Sequence, residues 1–449
     1  MQNKARDTEE QGSSGKSEDI GLRVVEFLGP LLITLDEMLD KRLVRTFVRT
    51  VMAIITFRHG SQGLLLSELG GYILNPAQAP AGTKRLSNLL RSKGWTHRLI
   101  DDFLWQRGEA RVHALKQAGE EALVVWDESV IEKAGSLTLE GLCSVRSSVA
   151  RWLKRIKPGF YSPPSAPIFV PGMQWVGVLV IGMSGPPEVA AMHWWSTRGV
   201  FASDKRSEEE KLLTECVRRW GRAVLHVWDR GFAGAPWLGI ALAHKVRFVL
   251  RWQKGYKLVD AQGRSRKAWQ ICRGKRSWTQ VLVWDSRRRQ HRKIGIYATP
   301  VFHPDYPDTP LWLIVSRQGK GRQPWYLLTN QPVSSSRQAW HFIRAYARRW
   351  QIEMAWRYSK SELAMESPRL WSWQNRLKLL LIATLAYAFL LSLLCPESLR
   401  LWLLQHWCPR TGKRCRDVST PLYRLRSALS RLWLAYPPPD FLLPSENPG

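Results

Sequence analysis

The chain has 449 residues, enough for two or three domains and a sizeable core, and its 45% hydrophobic content excludes wholesale disorder. Sixty-seven Lys and Arg against 37 Asp and Glu leave a formal charge of +30, a field that draws polyanions, of which nucleic acid is the commonest. Six scattered cysteines without disulfide-framework spacing, and a start unlike a signal peptide, predict a reducing, cytoplasmic setting close to the nucleoid.

Residues 1–20 are polar and charged and predict a disordered tail. From 21 to 118 the period is helical: "ITLDEMLDKRLVRTFVRTVMAIITF" repeats apolar residues every three or four positions. "GTKRLSNLLRSKGWTHRLIDDFLWQRG" then alternates apolar and basic clusters. This is a helical domain with a basic face, which either contacts DNA or is merely solvated. Over 119–253 the period changes. "EALVVWD", "MQWVGVLVIGM" and "EVAAMHWWS" read as strands, and "SEEEKLLTECVRRWG" as an amphipathic helix with Ser207 at its N-cap. "AVLHVWD" is a buried strand, "GAPWLGIALAHK" a helix and "RFVLRW" a further strand. The succession is that of a ribonuclease H-like mixed sheet, an α/β fold in which antiparallel strands are extended by parallel ones through crossover helices.

Residues 254–333 alternate in character and are rich in Gly and Arg, which predicts a β-rich insertion made of hairpins. The second part of the core, 334–395, contains "YARRWQIEMAWRYSK" (346–360), read as one continuous helix. Tyr346, Arg349, Glu353 and Lys360 then fall within about 60° of one another, at about 100° per residue. "LLLIATLAYAFLLSLLC" (379–395) is borderline for a membrane span. Gln374, Arg376 and Lys378 directly before it favour a buried core helix, and no membrane partner is expected. Residues 396–449 form a C-terminal helical region, with Arg-rich "LYRLRSALSRLWL", and a Pro-rich tail. His406, Cys408 and Cys415 are incomplete as a zinc site and read as structural or free.

Val-Trp-Asp occurs three times, ending at Asp127, Asp229 and Asp285. Asp127 and Asp229 each close an apolar strand that the topology sets side by side. Two carboxylates there and a third from a helix, Glu353, suit two divalent metals, because Mg²⁺ takes hard oxygen ligands and two dications need several negative charges. Glu128 competes with Asp127 and would face the other side of the strand. Asp285 competes with Asp229, but it leads into "SRRRQHRK" and reads as a hairpin residue paired with arginines. Arg349 and Glu353 also have the spacing of an ordinary i,i+4 ion pair on a solvated helix.

With these residues in place the chain resembles the DDE transposases of the insertion sequence 4 family. The family signature Tyr-x2-Arg-x3-Glu-x6-Lys is matched at every spacing by Tyr346, Arg349, Glu353 and Lys360. "DRGF" (229–232) and "WDESVIEKAGS" are similar to its segments around the two aspartates. The β-rich insertion before the Glu helix is also a family feature. The resemblance covers roughly 120–370. It implies that Asp127, Asp229 and Glu353 are catalytic and bind two Mg²⁺ (or Mn²⁺) ions. It also implies that Tyr346, Arg349 and Lys360 contact transposon-end DNA. Trp325, in "WYLLTNQPV", is the candidate to stack on a flipped base. The implied activity is cutting at terminal inverted repeats and joining 3′-OH ends to target DNA. The implied partners are double-stranded transposon-end and target DNA, with a homodimer in the DNA complex. A catalytically silent DNA-binding protein and a ribonuclease H-like nuclease are the alternatives.

Overall fold

The computed structural model describes residues 2–57, 62–133, 138–147, 166–285, 289–319, 321–408 and 422–439, with side chains described from residue 11. The fold is mixed α/β, a large sheet with a helical layer packed on it.

The strands are β1 (Ala122–Glu132), β2 (Cys143–Arg146), β3 (Phe169–Ile181), β4 (Glu188–Trp195), β5 (Val224–Trp228) and β6 (Arg247–Arg251). β1 pairs antiparallel with β3, and β3 with β4, while β1, β5 and β6 run parallel. Parallel neighbours need crossovers, and α6 (Lys205–Trp220) and α7 (Ala235–Ala243) supply them. The N-cap of α6 is Asp204, whose carboxylate accepts from the Arg206 and Ser207 amides. The cap expected at Ser207 therefore lies three residues earlier, where a carboxylate meets the helix dipole better than a hydroxyl.

The segment expected as an insertion comprises β7 (Lys257–Val259), β8 (Ser265–Lys267), α8 (Ala268–Cys272), β9 (Thr279–Asp285), β10 (Gln290–His303), β11 (Tyr306–Arg317) and β12 (Trp325–Thr329). β12 pairs with β6, so these strands continue the central sheet in the order β2-β3-β1-β5-β6-β12-β11-β10-β7-β8. The basic-turn hairpin is β9–β10, and Asp285 at its end pairs with Arg322 as expected.

Among the described residues five α-helices precede the sheet: α1 (Gln2–Met38), α2 (Lys41–Thr56), α3 (Leu66–Ile73), α4 (Ala79–Arg91) and α5 (Arg98–Gln117). Residues 1–20 were expected as a tail, yet α1 runs through them from Gln2, and Ser17 and Ile20 are buried. Their partner is distant in sequence: Ser17 Oγ donates to the Tyr436 carbonyl, just beyond α13 (Leu422–Ala435). Composition cannot reveal such a contact.

α9 (Ser336–Arg348), α10 (Trp350–Ser361), α11 (Trp373–Ser392) and α12 (Glu397–His406) follow β12. α11 is long and apolar enough to cross a membrane by composition, yet it is buried inside the protein. α2, α4, α5, α13 and β4 surround it, and a helix covered on all sides has to be apolar all round. Buried cations secure its first turn. Arg376 donates to the Leu370 and Glu140 carbonyls, and Lys378 to those of Leu90 and Ser92. The five described cysteines are free, and Cys415 lies outside the described residues.

Candidate active site

The site begins with register. Ala122, Leu123, Val124 and Val125 of β1 stand opposite Val224, Leu225, His226 and Val227 of β5. Continuing that pairing sets Trp126 level with Trp228, and Asp127 level with Asp229. Side chains alternate across a strand. Trp126 and Trp228 therefore enter one core, with ring centroids 6.3 Å apart, among Trp237 and the buried His226. Trp126 Nε1 and His226 Nδ1 are 3.1 Å apart, with the indole donating. Val125 and Val227 face the other side, toward Tyr346, Ile352, Ala355 and Trp356 of α9 and α10. The repeated Val-Trp-Asp thus works as a unit, with tryptophans locking the strands from beneath; Asp229 follows the end of β5, whereas Asp127, expected at a strand end, lies inside β1, which runs on to Glu132 because β3 pairs with it throughout.

Asp229 caps a short helical turn (Arg230–Phe232), and its carboxylate accepts from the Gly231 amide. Asp127 lies deeper. Burial pushes its carboxyl up to about 7, with repulsion from Asp229 and Glu353 adding to this and Arg349 opposing it. Glu128 points to the opposite face, where it pairs with Lys205 of α6. The carboxylate beside Asp229 is therefore that of Asp127.

"YARRWQIEMAWRYSK" is two helices and not one. α9 ends at Arg348, α10 begins at Trp350, and Arg349 is the junction, with φ −52° and ψ −27°. The four signature residues are therefore divided, Tyr346 on α9, Arg349 between the helices, and Glu353 and Lys360 on α10. The backbone at Arg349 stays helical and the turn tightens there, the Arg349 and Ile352 amides each donating to the carbonyl three residues earlier. The Arg349 guanidinium pairs with Glu353 and lies 3.7 Å from Asp127. Burial works against its charge, but Tyr346, Asp127 and Glu353 outweigh that and hold its pKa above the ordinary value.

Tyr346 is buried, 3% exposed. It packs edge-on against half-buried Trp325 with centroids 5.1 Å apart, under the Arg349 guanidinium. Burial raises its phenol pKa. Lys360 is mostly enclosed, 3.8 Å from Glu366, and burial lowers its pKa. The structure thus brings Asp127, Asp229, Glu353 and Arg349 together, with the Tyr346 ring beneath the arginine and Trp325 packed against that ring. It sets Lys360 apart, beside Glu366.

Sequence reasoning missed two residues. Trp356 donates from Nε1 to Asp127 Oδ2 at 3.1 Å, and Gly177 of β3 stands directly opposite Asp127. A Cβ on Gly177 would lie 2.4 Å from the Trp356 ring. Both signals were available: a glycine inside a strand marks a close approach, and Trp356 lies three residues after Glu353, one turn along the same face.

Three carboxylates are hard donors suited to Mg²⁺ or Mn²⁺, and the repulsion from Asp229 and Glu353 that adds to burial in raising Asp127 is of the kind a dication relieves. Among the described residues no three His, Cys, Asp or Glu are drawn tightly enough together to hold a metal ion. Glu353 is turned onto Arg349, so it has to exchange that partner to become a ligand.

No protein-family profile matches the chain, and no curated protein matches it. Among solved structures it is similar to a piggyBac transposase in a synaptic complex with hairpin DNA. The identity is 14% and the TM-score 0.41, over 96% of this chain and 84% of that one. At that level the likeness identifies neither fold family nor chemistry.

Proposed function

We propose that the chain is a DNA transposase of a bacterial insertion sequence, built on a ribonuclease H-like core. In this reading it cuts at terminal inverted repeats and joins the freed 3′-OH ends to target DNA. The observation that carries the reading is the parallel pairing of β1 with β5, which continued sets Asp127 beside Asp229 just past β5, with Glu353 joined to Asp127 through Arg349. The Tyr-x2-Arg-x3-Glu-x6-Lys spacing and the +30 charge support it. Recombination joins two ends, so the working form on DNA is at least a dimer, in the cytoplasm at the nucleoid.

Asp127 and Asp229, joined by Glu353, would hold two Mg²⁺ or Mn²⁺ ions, which when bound supply Lewis acidity and a more acidic water. The protein's own contribution is positional. Trp356 fixes one oxygen of Asp127 and so sets the rotation of the carboxylate. Arg349 keeps Glu353 beside the aspartates and, once Glu353 is released, offers its guanidinium to a phosphate. Tyr346, itself backed by Trp325, lies beneath that guanidinium. The basic surface neutralises phosphates, so affinity falls steeply with salt.

The test is strand cleavage of the gene's flanking terminal-repeat DNA with Mg²⁺. Wild-type protein should nick the 3′ ends, and Asp229→Asn should lower the rate by three orders of magnitude or more. Undiminished cutting by Asp229→Asn sinks the assignment.

A further inference from the structure

The helical layer presents a second surface, away from the carboxylates. α3 and α4 are joined by five residues, among which Asn75 Oδ1 accepts from the Gln78 amide at 2.9 Å. The two helices nearly touch. A Cβ on Gly82 would lie 2.1 Å from the Gly70 carbonyl oxygen, and one on Gly70 would lie 2.6 Å from the Thr83 amide nitrogen. Thr83 Oγ1 donates across the contact to the Leu66 carbonyl at 3.1 Å. α2 packs on both helices. Gly82, Leu86, Leu89 and Leu90 form the buried stripe of α4.

The opposite stripe is polar and free. Lys84, Arg85, Asn88 and Arg91 are exposed, and among the described residues none of the three cations there makes an ion pair. Residues 69–100 contain five Lys and Arg and no Asp or Glu. A short helix held rigidly against its predecessor, with long donors and no acid on its outer face, has the dimensions and charge of a major-groove reader. Its 13 residues span about 20 Å at 1.5 Å each. Beside it runs a groove of about 250 Å³ between Ser87 and Arg91 of α4 and Trp371 and Asn375 at the start of α11. Trp371 is 64% exposed, uncommon for an indole with nothing to cover.

We propose that α4 reads the sequence of duplex DNA. Arg85 and Asn88 face base edges, Lys84 and Arg91 hold phosphates, and Trp371 walls the groove against the sugar-phosphate backbone. This rests on the reading of DNA as the substrate, but it needs none of the carboxylates. Arginine and asparagine can each engage a purine edge through two hydrogen bonds, and such a pair discriminates against the wrong base by about tenfold or more.

The test is selection by the full-length chain, in EDTA, from a pool of random-sequence duplexes. The parent should enrich one motif. The Arg85→Ala/Asn88→Ala chain should melt at the parent's temperature, since both positions are exposed. It should bind the parent's motif about tenfold more weakly, and enrich a motif blank at the positions those residues read. Arg91→Ala and Trp371→Ala should weaken binding to the motif and to a scrambled duplex alike. The proposal is overturned if the double variant enriches the same motif with unchanged affinity. It is overturned too if the parent enriches nothing, or if single-stranded DNA or RNA displaces the duplex. Loss of cutting with the motif intact would remove the transposase reading and leave α4 as the reader, so the two failures are distinguishable.

Discussion

The indole N–H of Trp356 ends 3.1 Å from Oδ2 of Asp127. It gets there because the residue facing Asp127 across the sheet is a glycine. Trp175 closes the far side of the indole, its ring centroid 4.2 Å away. A donor fixed on one oxygen sets the carboxylate's rotation, as outer-shell partners do at metal sites. Trp356→Phe keeps the ring and removes the donor. It should weaken Mn²⁺ binding, followed by electron paramagnetic resonance of the free ion, by about 10- to 100-fold, with little change in melting temperature. Gly177→Ala should damage both affinity and stability, because its methyl group meets the indole. Equal Mn²⁺ affinity in Trp356→Phe and wild type would exclude an orienting role.

Arg349 neutralises what the carboxylates create. Its guanidinium pairs with Glu353 and approaches Asp127 while itself 9% exposed. In Arg349→Met these carboxylates lose their counter-charge, and metal-free protein should be less stable by about 2 kcal/mol, below the value for a fully buried pair because Glu353 reaches solvent. The same change removes the ion's competitor for Glu353. Mn²⁺ should therefore raise the variant's melting temperature by more than it raises that of the parent, by linkage. Equal shifts in calorimetry would show that Arg349 and the metal do not compete.

Much of this site was legible in the sequence because short range suffices to write it. An apolar run before an Asp is a buried strand, and repetition of Val-Trp-Asp brings Asp127 and Asp229 to neighbouring positions, although β1 runs on past Asp127 to Glu132 while β5 stops before Asp229. The break at Arg349 was not legible, since Ala, Arg, Trp and Gln around it all favour helix. It shows only in the tightened hydrogen bonds at the junction, where the Arg349 amide donates to the Tyr346 carbonyl. Burial of Tyr346 was hidden because Trp325, on β12, packs against it from a separate element. The joining of β12 to β6, and of Ser17 to Tyr436, likewise depends on partners that no local pattern names.

His226 gives the protein a defined response to acid. Burial between the tryptophans lowers its pKa to about 3, against an ordinary 6.5. The folded state therefore binds fewer protons than the unfolded chain below pH 6.5, and stability falls as pH drops from there toward 3. The loss from this residue is roughly 3 kcal/mol by pH 4.5. His226→Asn retains an acceptor for Trp126 and does not titrate. Chemical denaturation at pH 7 and pH 4.5 should show a smaller decline for the variant than for wild type. Parallel declines would mean that other groups govern acid unfolding.

Arg426 connects the C-terminal helix to the candidate site. It is 1% exposed and donates to the Ile54, Ile55 and Phe57 carbonyls at the end of α2 and to the Glu362 carbonyl just past α10. One planar fork thus satisfies the open ends of two helices. Ser430 of the same helix adds a bond to the Thr56 carbonyl. Arg426→Met leaves those carbonyls without a donor and should destabilise the protein by about 3–5 kcal/mol. Arg426→Lys should recover only part of this, because an ammonium has three donors from a single point and cannot span the fork. Hydrogen exchange should locate the effect. Amides at 359–363, at the end of the helix that carries Glu353, should exchange faster in Arg426→Lys, while those of β1 stay protected. Uniform acceleration across both would show that Arg426 supports the whole fold and gives the Glu353 helix no anchor of its own.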